Sequence, residues 1–425
     1  MKYIFALLCV VFAFFACAND TSANPKNEKK VSSVVGWRSA GFTPVISGQR
    51  GGGLQKVVHS GNWLVLMDAW TSPVEGKAET LTYSPRLFIS KIGTNVWDTL
   101  VPPTSAYVKQ LYADSFGVYV GTYNSEVFEY NPEKKEWKNL NVKKTDDSLW
   151  YHVYGIQRFS GKLVVCMAGY TKPLGAYAKV LLQNDSEWLE LQLPRIRKEM
   201  FLEGVAYDES LTDPLYFVNA SEMDGNLYVG TVDGVWKLDA TTLSWSELPK
   251  FPKMKWNSNY QDVYKVEDLI VYKGSLIAVD GTNDRVYQWD GLNNWLALDS
   301  MILPIVLYAN GDTSYNIYRS SLHDIIDLAT DGMHLFISGD ASCPKVYMGD
   351  YGEPYGNIPK GWRTMMLGWC AEKGGCVSRD ATHSLDIVGD TIYAAAWEGL
   401  FKMPLSELDS VIADQSDFNG FDKYQ

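Results

Sequence analysis

The chain has 425 residues, with 38 basic against 50 acidic side chains and a formal net charge of −12. That balance argues against nucleic acid as a partner, because such binding rests on Lys and Arg neutralising phosphates. Apolar residues at 46% and charged residues at 21% are ordinary for a globular protein and exclude a disordered chain, a collagen and a multi-span membrane protein. The unusual counts are 15 Trp, 26 Tyr and 35 Gly, which without long helical patterns point to many short strands and tight turns.

The chain opens with Lys2 and an apolar run from Tyr3 to Phe15, then Ala16-Cys17-Ala18, the form of a secretory signal peptide over 1–17. Phe14-Phe15-Ala16-Cys17 resembles a bacterial lipobox, with Cys17 as the lipidated residue; the alternative is plain cleavage after Ala18. Residues 18–33 are polar and read as a flexible tether, so the expected location is the cell envelope, the periplasm or the exterior. Any membrane association is expected through the lipid alone. Cys370 and Cys376 flank a Gly-containing loop, and an oxidising compartment favours a local disulfide between them over a zinc site, which lacks a second pair at metal spacing. Cys166, inside Leu163-Val-Val-Cys-Met167, reads as a buried small hydrophobe.

From residue 34 onward one pattern repeats. Seven Trp residues are each followed three positions on by a mostly apolar residue: Trp37, Trp97, Trp137, Trp188, Trp245, Trp295 and Trp362, at intervals of 40 to 67 residues. Ahead of them recur a Gly or small-polar turn (Ser60-Gly61, Ser160-Gly161, Asp224-Gly225, Lys273-Gly274), an apolar strand (Leu64–Met67, Leu163–Val165, Leu227–Val229, Leu276–Val279) and a third strand (Val127–Tyr130, Val235–Leu238, Val286–Trp289). That interval suits one four-stranded propeller blade. The last unit, around Ile392 and Leu400, has no Trp strand after it, whereas Trp37 precedes the first complete unit. Ring closure resolves both: the N-terminal strand completes the last blade and no edge is left open. The fold expected is therefore all-β, a seven-bladed β-propeller of four-stranded antiparallel blades over 34–412, with a tail at 413–425.

The segments Val127-Phe-Glu-Tyr-Asn-Pro-Glu-Lys-Lys-Glu-Trp137 and Val235-Trp-Lys-Leu-Asp-Ala-Thr-Thr-Leu-Ser-Trp245 resemble the second half of a kelch repeat, as in the central domain of galactose oxidase. Single glycines, Gly121 and Gly230, stand where that superfamily has a doublet. The resemblance implies a propeller, and a propeller alone implies no function.

The long segments fall between blades, in 141–155, 192–216, 249–266, 299–324 and 366–384, with a further insert at 70–83. They share one face, and long loops on a rigid scaffold are where recognition concentrates. Trp150, Tyr151, Tyr154, Trp256, Tyr260, Tyr315, Tyr318 and Arg319 are the candidate ligand-binding residues there. Aromatic rings edged by polar groups suit the apolar face of a sugar, and the same residue types anchor protein interfaces. A bland reading stands beside this: aromatics that simply pack the loops down. Among the five histidines, His152, His323 and His383 each precede an innermost strand on that face. With Arg319 and Arg379 they would make the base and charge clamp of a polysaccharide lyase, and three histidines could also bind zinc; the bland and preferred alternative is backbone hydrogen bonding. No nucleophile elbow or phosphate loop is present. Asp280-Gly-Thr-Asn-Asp284 has a calcium-like composition without the EF-hand pattern and reads as a structural turn. No spacing forces a His cluster, so neither a metal nor a cofactor is expected.

The leading expectation is an exported, lipid-anchored protein that binds a glycan or an envelope or extracellular protein through its long-loop face, without catalysis. The alternatives are an exported lyase or glycoside hydrolase with its site at the channel mouth, and a structural subunit of an envelope complex.

Overall fold

Each repeat unit folds as a four-stranded antiparallel sheet, and seven such sheets form the propeller. The computed structural model describes residues 37–42, 53–68, 71–74, 77–83, 85–142, 151–171, 175–197, 212–252, 264–281, 285–298, 325–339, 342–347, 362–364, 382–396 and 399–413. From the channel outwards, blade 1 is Leu54–Ser60, Trp63–Asp68, Leu87–Lys91 and Asp98–Leu100, and blade 2 is Val108–Ala113, Val118–Thr122, Val127–Asn131 and Glu136–Asn139. Blade 3 is His152–Phe159, Lys162–Thr171, Gly175–Asn184 and Glu187–Glu190, and blade 4 is Asn219–Met223, Asn226–Thr231, Gly234–Leu238 and Trp245–Glu247. Blade 5 is Val266–Tyr272, Ser275–Asp280, Arg285–Trp289 and Trp295–Ala297, and blade 6 is Ile325–Thr330, Leu335–Gly339, Ser342–Tyr347 and Trp362–Thr364. Blade 7 is Thr382–Val388, Thr391–Ala396 and Gly399–Pro404, completed by Arg38–Phe42 from the other end of the chain.

The closure expected from the unpaired Trp strand is therefore present. Arg38 pairs with Lys402, Ser39 with Phe401 and Phe42 with Leu400. Every inner strand contacts the inner strands on both sides, including blade 7 against blade 1.

The core lies between blades rather than within them. Among the described residues the buried apolar side chains form seven clusters, each drawn from two successive blades; one joins Phe159, Val164 and Val180 of blade 3 to Leu227 and Val229 of blade 4. Second strands are accordingly buried on both faces, as Val118–Thr122 and Leu335–Gly339 are, while outer strands such as Glu136–Asn139 face solvent. At about 25 cal/mol per Å² of apolar area, these interfaces are the main stabilising term.

The repeated Trp has a structural reason. The indole Nε1 of Trp188 donates to the Leu140 carbonyl at 3.0 Å, that of Trp295 to Pro249 at 2.7 Å and that of Trp362 to Leu298 at 3.3 Å. Each bond reaches the chain just past the preceding blade's outer strand. The apolar residue three positions on is held by its own N–H: Leu140 bonds Val127, Leu191 bonds Val180, Leu248 bonds Val235 and Leu298 bonds Val286. The indole bonds of Trp188, Trp295 and Trp362 thus latch one blade to the preceding one, whereas the buried Nε1 atoms of Trp37, Trp97 and Trp245 have no hydrogen-bond partner among the described residues.

The single glycines are explained the same way. A Cβ on Gly121 would fall inside the Val153 side chain of blade 3, and one on Gly230 inside Val266 of blade 5. The two-residue turns Ser160-Gly161, Asp224-Gly225 and Lys273-Gly274 have positive φ at both positions, the mirror-image turn that matches the twist of the flanking strands.

Two features depart from the loop reading. The insert at 70–83 contains a hairpin, Thr71–Val74 with Lys77–Tyr83, and the segment at 192–216 contains another, Arg195–Arg197 with Thr212–Pro214. After the last strand the chain turns into a short helix, Leu408–Ala413, whose Leu408 and Val411 join the core between blades 6 and 7. None of the helices among the described residues is long and apolar enough to cross a membrane.

Candidate functional site

Blade-to-blade linkers and second-to-third turns lie on one face, here the loop face. The inner strands start there and run to the opposite face. In six of the seven inner strands the ladder slips by one residue near this start, between Leu54 and Lys56, Val108 and Gln110, Val153 and Gly155, Val266 and Leu269, Ile325 and Asp327, and Thr382 and Ser384. A bulge re-aims the extra side chain. The residues so displaced include Lys109, Tyr154 and His383, all at the loop-face mouth of the channel.

Blades 2 to 4 bring a row of rings together at that mouth. The His152 ring lies 4.8 Å from Tyr123 and 6.4 Å from Tyr154, and Tyr154 lies 5.5 Å from Tyr216. Successive rings are tilted by 71°, 71° and 59°, the edge-to-face habit of quadrupolar rings, so they do not form a coplanar platform. The Lys109 ammonium sits 5.4 Å above Tyr123 and 5.1 Å above Tyr154. Such a contact is worth about 0.5–2 kcal/mol, more as water is excluded. Tyr107 and Tyr123 are 46% and 36% exposed, so the patch faces solvent. His152 Nδ1 donates to the Tyr123 carbonyl at 2.9 Å, which assigns its proton to that nitrogen and leaves Nε2 the acceptor in the neutral ring. Burial lowers the His152 pKa below the ordinary histidine range, and the nearby Lys109 charge acts in the same direction.

Blades 5 to 7 present the reverse picture. Within or just after the bulge stand Asp268, Asp327 and Ser384, and each binds the inner strand of the next blade. Asp268 Oδ2 accepts from the Leu328 N–H at 2.6 Å, Asp327 Oδ2 from the Leu385 N–H at 2.6 Å, and Ser384 Oγ from the Val57 N–H at 3.4 Å. Those N–H groups belong to the channel-side edge of a sheet and have no strand to bond. Further along, Asp386 Oδ2 meets His59 Nδ1 at 2.8 Å, linking blade 7 to blade 1. Burial raises the Asp268, Asp327 and Asp386 carboxyls; Asp327 is raised further by Asp268, and Lys56 opposes the shift in all three. The His59 pKa is raised, chiefly by its hydrogen bond to Asp386.

The sequence candidates are placed unevenly. Trp150, Trp256, Tyr260, Tyr315, Tyr318, Arg319, His323, Arg379, Cys17, Cys370 and Cys376 lie outside the described residues. Tyr154 and His152 fall together in the ring row. Tyr151 is 6% exposed and packs in the core between blades 2 and 3, its carbonyl accepting from Ser125 Oγ at 2.8 Å. His383 Nδ1 donates to the Leu54 carbonyl of blade 1 at 2.6 Å. Cys166 is fully buried and its thiol is pushed up to about 12, as its apolar run implied. Among the described residues no group of three His, Cys, Asp or Glu side chains is arranged to hold a metal. Lys109, Tyr107, Tyr123 and Tyr216 are not marked as a site by the sequence, since they come from separate segments, and Lys109, Tyr107 and Tyr123 lie outside the long linkers. The available signal was positional: an aromatic or basic residue at the inner-strand start, and Tyr123 directly after Gly121-Thr122.

No protein-family model matches this chain, and no curated protein matches it in sequence. Its fold is similar to solved propellers. Virginiamycin B lyase from Staphylococcus aureus superposes with a TM-score of 0.51 at 12% identity, over 83% of this chain and 95% of the lyase. A streptogramin B lyase gives 0.51 at 13% identity, over 86% and 96%. A catalytically inactive virginiamycin B lyase from Staphylococcus aureus, bound to quinupristin, gives 0.50 at 10% identity, over 86% and 98%. Likeness at this level establishes a shared β-propeller fold, and the chemistry of any site must be argued from this chain's own residues.

Proposed function

We propose that this chain is an exported, lipid-anchored β-propeller that binds a glycan at its loop face without processing it. The observation that supports this reading is the row of rings, Tyr123, His152, Tyr154 and Tyr216, assembled from three blades at the channel mouth beside Lys109. Sugar rings pack their C–H faces on tyrosine, and their hydroxyls need donors and acceptors at the ring edges. The Tyr hydroxyls, Lys109 Nζ and His152 Nε2 provide both. The tilt between rings favours a single soluble chain that twists along the row over a flat polymer surface.

The enzyme alternative needs a base and a charge clamp converging on one bond. His152 and His383 belong to blades 3 and 7, and each commits Nδ1 to a backbone carbonyl. That favours positioning over proton transfer between them. The test is binding of the full chain to a panel of soluble polysaccharides, with product analysis on the same samples. Binding without new reducing ends or unsaturated products, reduced about tenfold by Tyr154→Ala, is the expected result for a stacked ring. Turnover would replace this reading with the lyase or hydrolase, and silence in both assays would turn the case to a protein partner.

A further inference from the structure

The ring row also carries information about charge, and this inference rests on the glycan reading above. Lys109 differs from Lys250 and Lys265, which are also placed on the loop face. Lys250 pairs with Asp233 at 2.9 Å and also with Glu247, and Lys265 pairs with Glu267 at 2.5 Å. Lys109 has no ion pair among the described residues; two tyrosine faces hold it instead. A surface lysine in a chain of net charge −12 has many carboxylates it could meet, yet here the fold surrounds it with rings. Its placement is also built in: Lys109 is the extra residue of the bulge between Val108 and Gln110, so the backbone itself directs it to the mouth.

An ammonium held against aromatic faces keeps its charge and its N–H donors, because a π face satisfies none of the donors as a carboxylate would. The group that completes it is an anion on a molecule whose apolar face also lies on Tyr123 or Tyr154. His152 fits beside it: its proton is on Nδ1, donated to the Tyr123 carbonyl, and Nε2 can accept from a sugar hydroxyl.

We propose that the row is an anionic-saccharide subsite, in which a sugar ring packs beside Lys109 on Tyr123 or Tyr154 and Lys109 Nζ binds its carboxylate or sulfate. Carboxylate and sulfate offer the same charge-assisted acceptor, and the test separates them. Affinities of the full chain would be measured by calorimetry for a neutral polysaccharide, for a counterpart with the same backbone bearing uronic acids, and for a sulfated counterpart. The expected result is about tenfold tighter binding of at least one acidic form than of the neutral one, weakening as salt rises. Lys109→Met should abolish that preference, lowering affinity for the preferred acidic form about tenfold more than it lowers affinity for the neutral chain, whereas Lys109→Arg should retain it. The identity of the preferred acidic form names the anion.

Equal or tighter binding of the neutral polysaccharide by the unaltered chain would overturn this inference and leave the glycan reading standing. A preference that survives Lys109→Met would likewise overturn it, since the charge recognised would lie elsewhere. Binding of none of the three, by protein whose circular dichroism shows an intact fold, would remove both.

Discussion

The inner rim of the propeller divides into two arcs that use the same strand position in opposite ways. In blades 5 to 7 the residues within or just after the bulge, Asp268, Asp327 and Ser384, are turned into the wall and hydrogen-bond the next blade's free strand edge. In blades 2 and 3 the same position holds Gln110 and Gly155, and a Cβ on Gly155 would collide with Phe217. At Gly155 the neighbouring blade packs against bare backbone, and in both blades a basic or aromatic residue sits one position earlier, at the mouth, as Lys109 and Tyr154. One arc spends its polar side chains on holding the ring. The other leaves them to solvent. Strand position alone therefore does not assign a role; the partner presented by the adjacent blade does.

The comparison can be broken in several ways. Both arcs presuppose a closed ring, so removing residues 34–45, which include the Arg38–Phe42 strand, is expected to have the largest effect: loss of most of the cooperative unfolding transition in calorimetry. An unchanged melt would mean that closure does not hold the ring. Next comes Asp327→Ala, which orphans the buried Leu385 N–H. It should cost about 2–3 kcal/mol in urea unfolding, with Asp327→Asn, which keeps an acceptor, costing less than half as much. Glycan affinity should stay within about twofold for either variant, since the arcs act independently; a larger change would couple them.

Gly121→Ala tests the other arc from within. The added methyl must displace Val153, and overpacking of this kind costs about 1–3 kcal/mol. Because Val153 precedes Tyr154, the same change should also disturb the ring row, lowering affinity several-fold where Asp327→Ala does not.

The smallest expected effect is that of pH. Burial, with Asp268 beside it, pushes the Asp327 carboxyl above the ordinary carboxylate range, whereas in the unfolded chain it releases its proton near 4. A group whose folded pKa is raised contributes stability that is present below the unfolded value and lost as pH rises through the folded one. His59, raised by Asp386, acts with the same sign above its unfolded value near 6.5. The melting temperature should therefore fall between pH 5 and pH 8.5, and Asp327→Asn should flatten that slope. A slope unchanged in the variant would place the titration outside this arc.

Much of this architecture was legible in the chain. The Trp-x-x-Leu spacing, the Gly-containing turns and the stray first Trp strand are local or periodic signals, and they led to the blade count and to the closure. The C-terminal helix was missed because Leu405–Ala413 is too short to show a helical period and is held by burying Leu408 and Val411. The ring row was half legible. His152 and Tyr154 are neighbours in sequence on a long linker, but Lys109, Tyr123 and Tyr216 come from separate segments and meet only when three blades stack.

The sequence by itself determined that this protein is a ring of blades, because each blade repeats its own hydrophobic and turn code within a stretch short enough to read. Only the tertiary structure decided which polar side chains support the ring and which face outwards. Those choices depend on what the next blade brings within hydrogen-bonding distance, a partner some 50 to 60 residues away for Asp268 with Leu328 and Asp327 with Leu385, and more than 300 away where the ring closes at Ser384 and Val57.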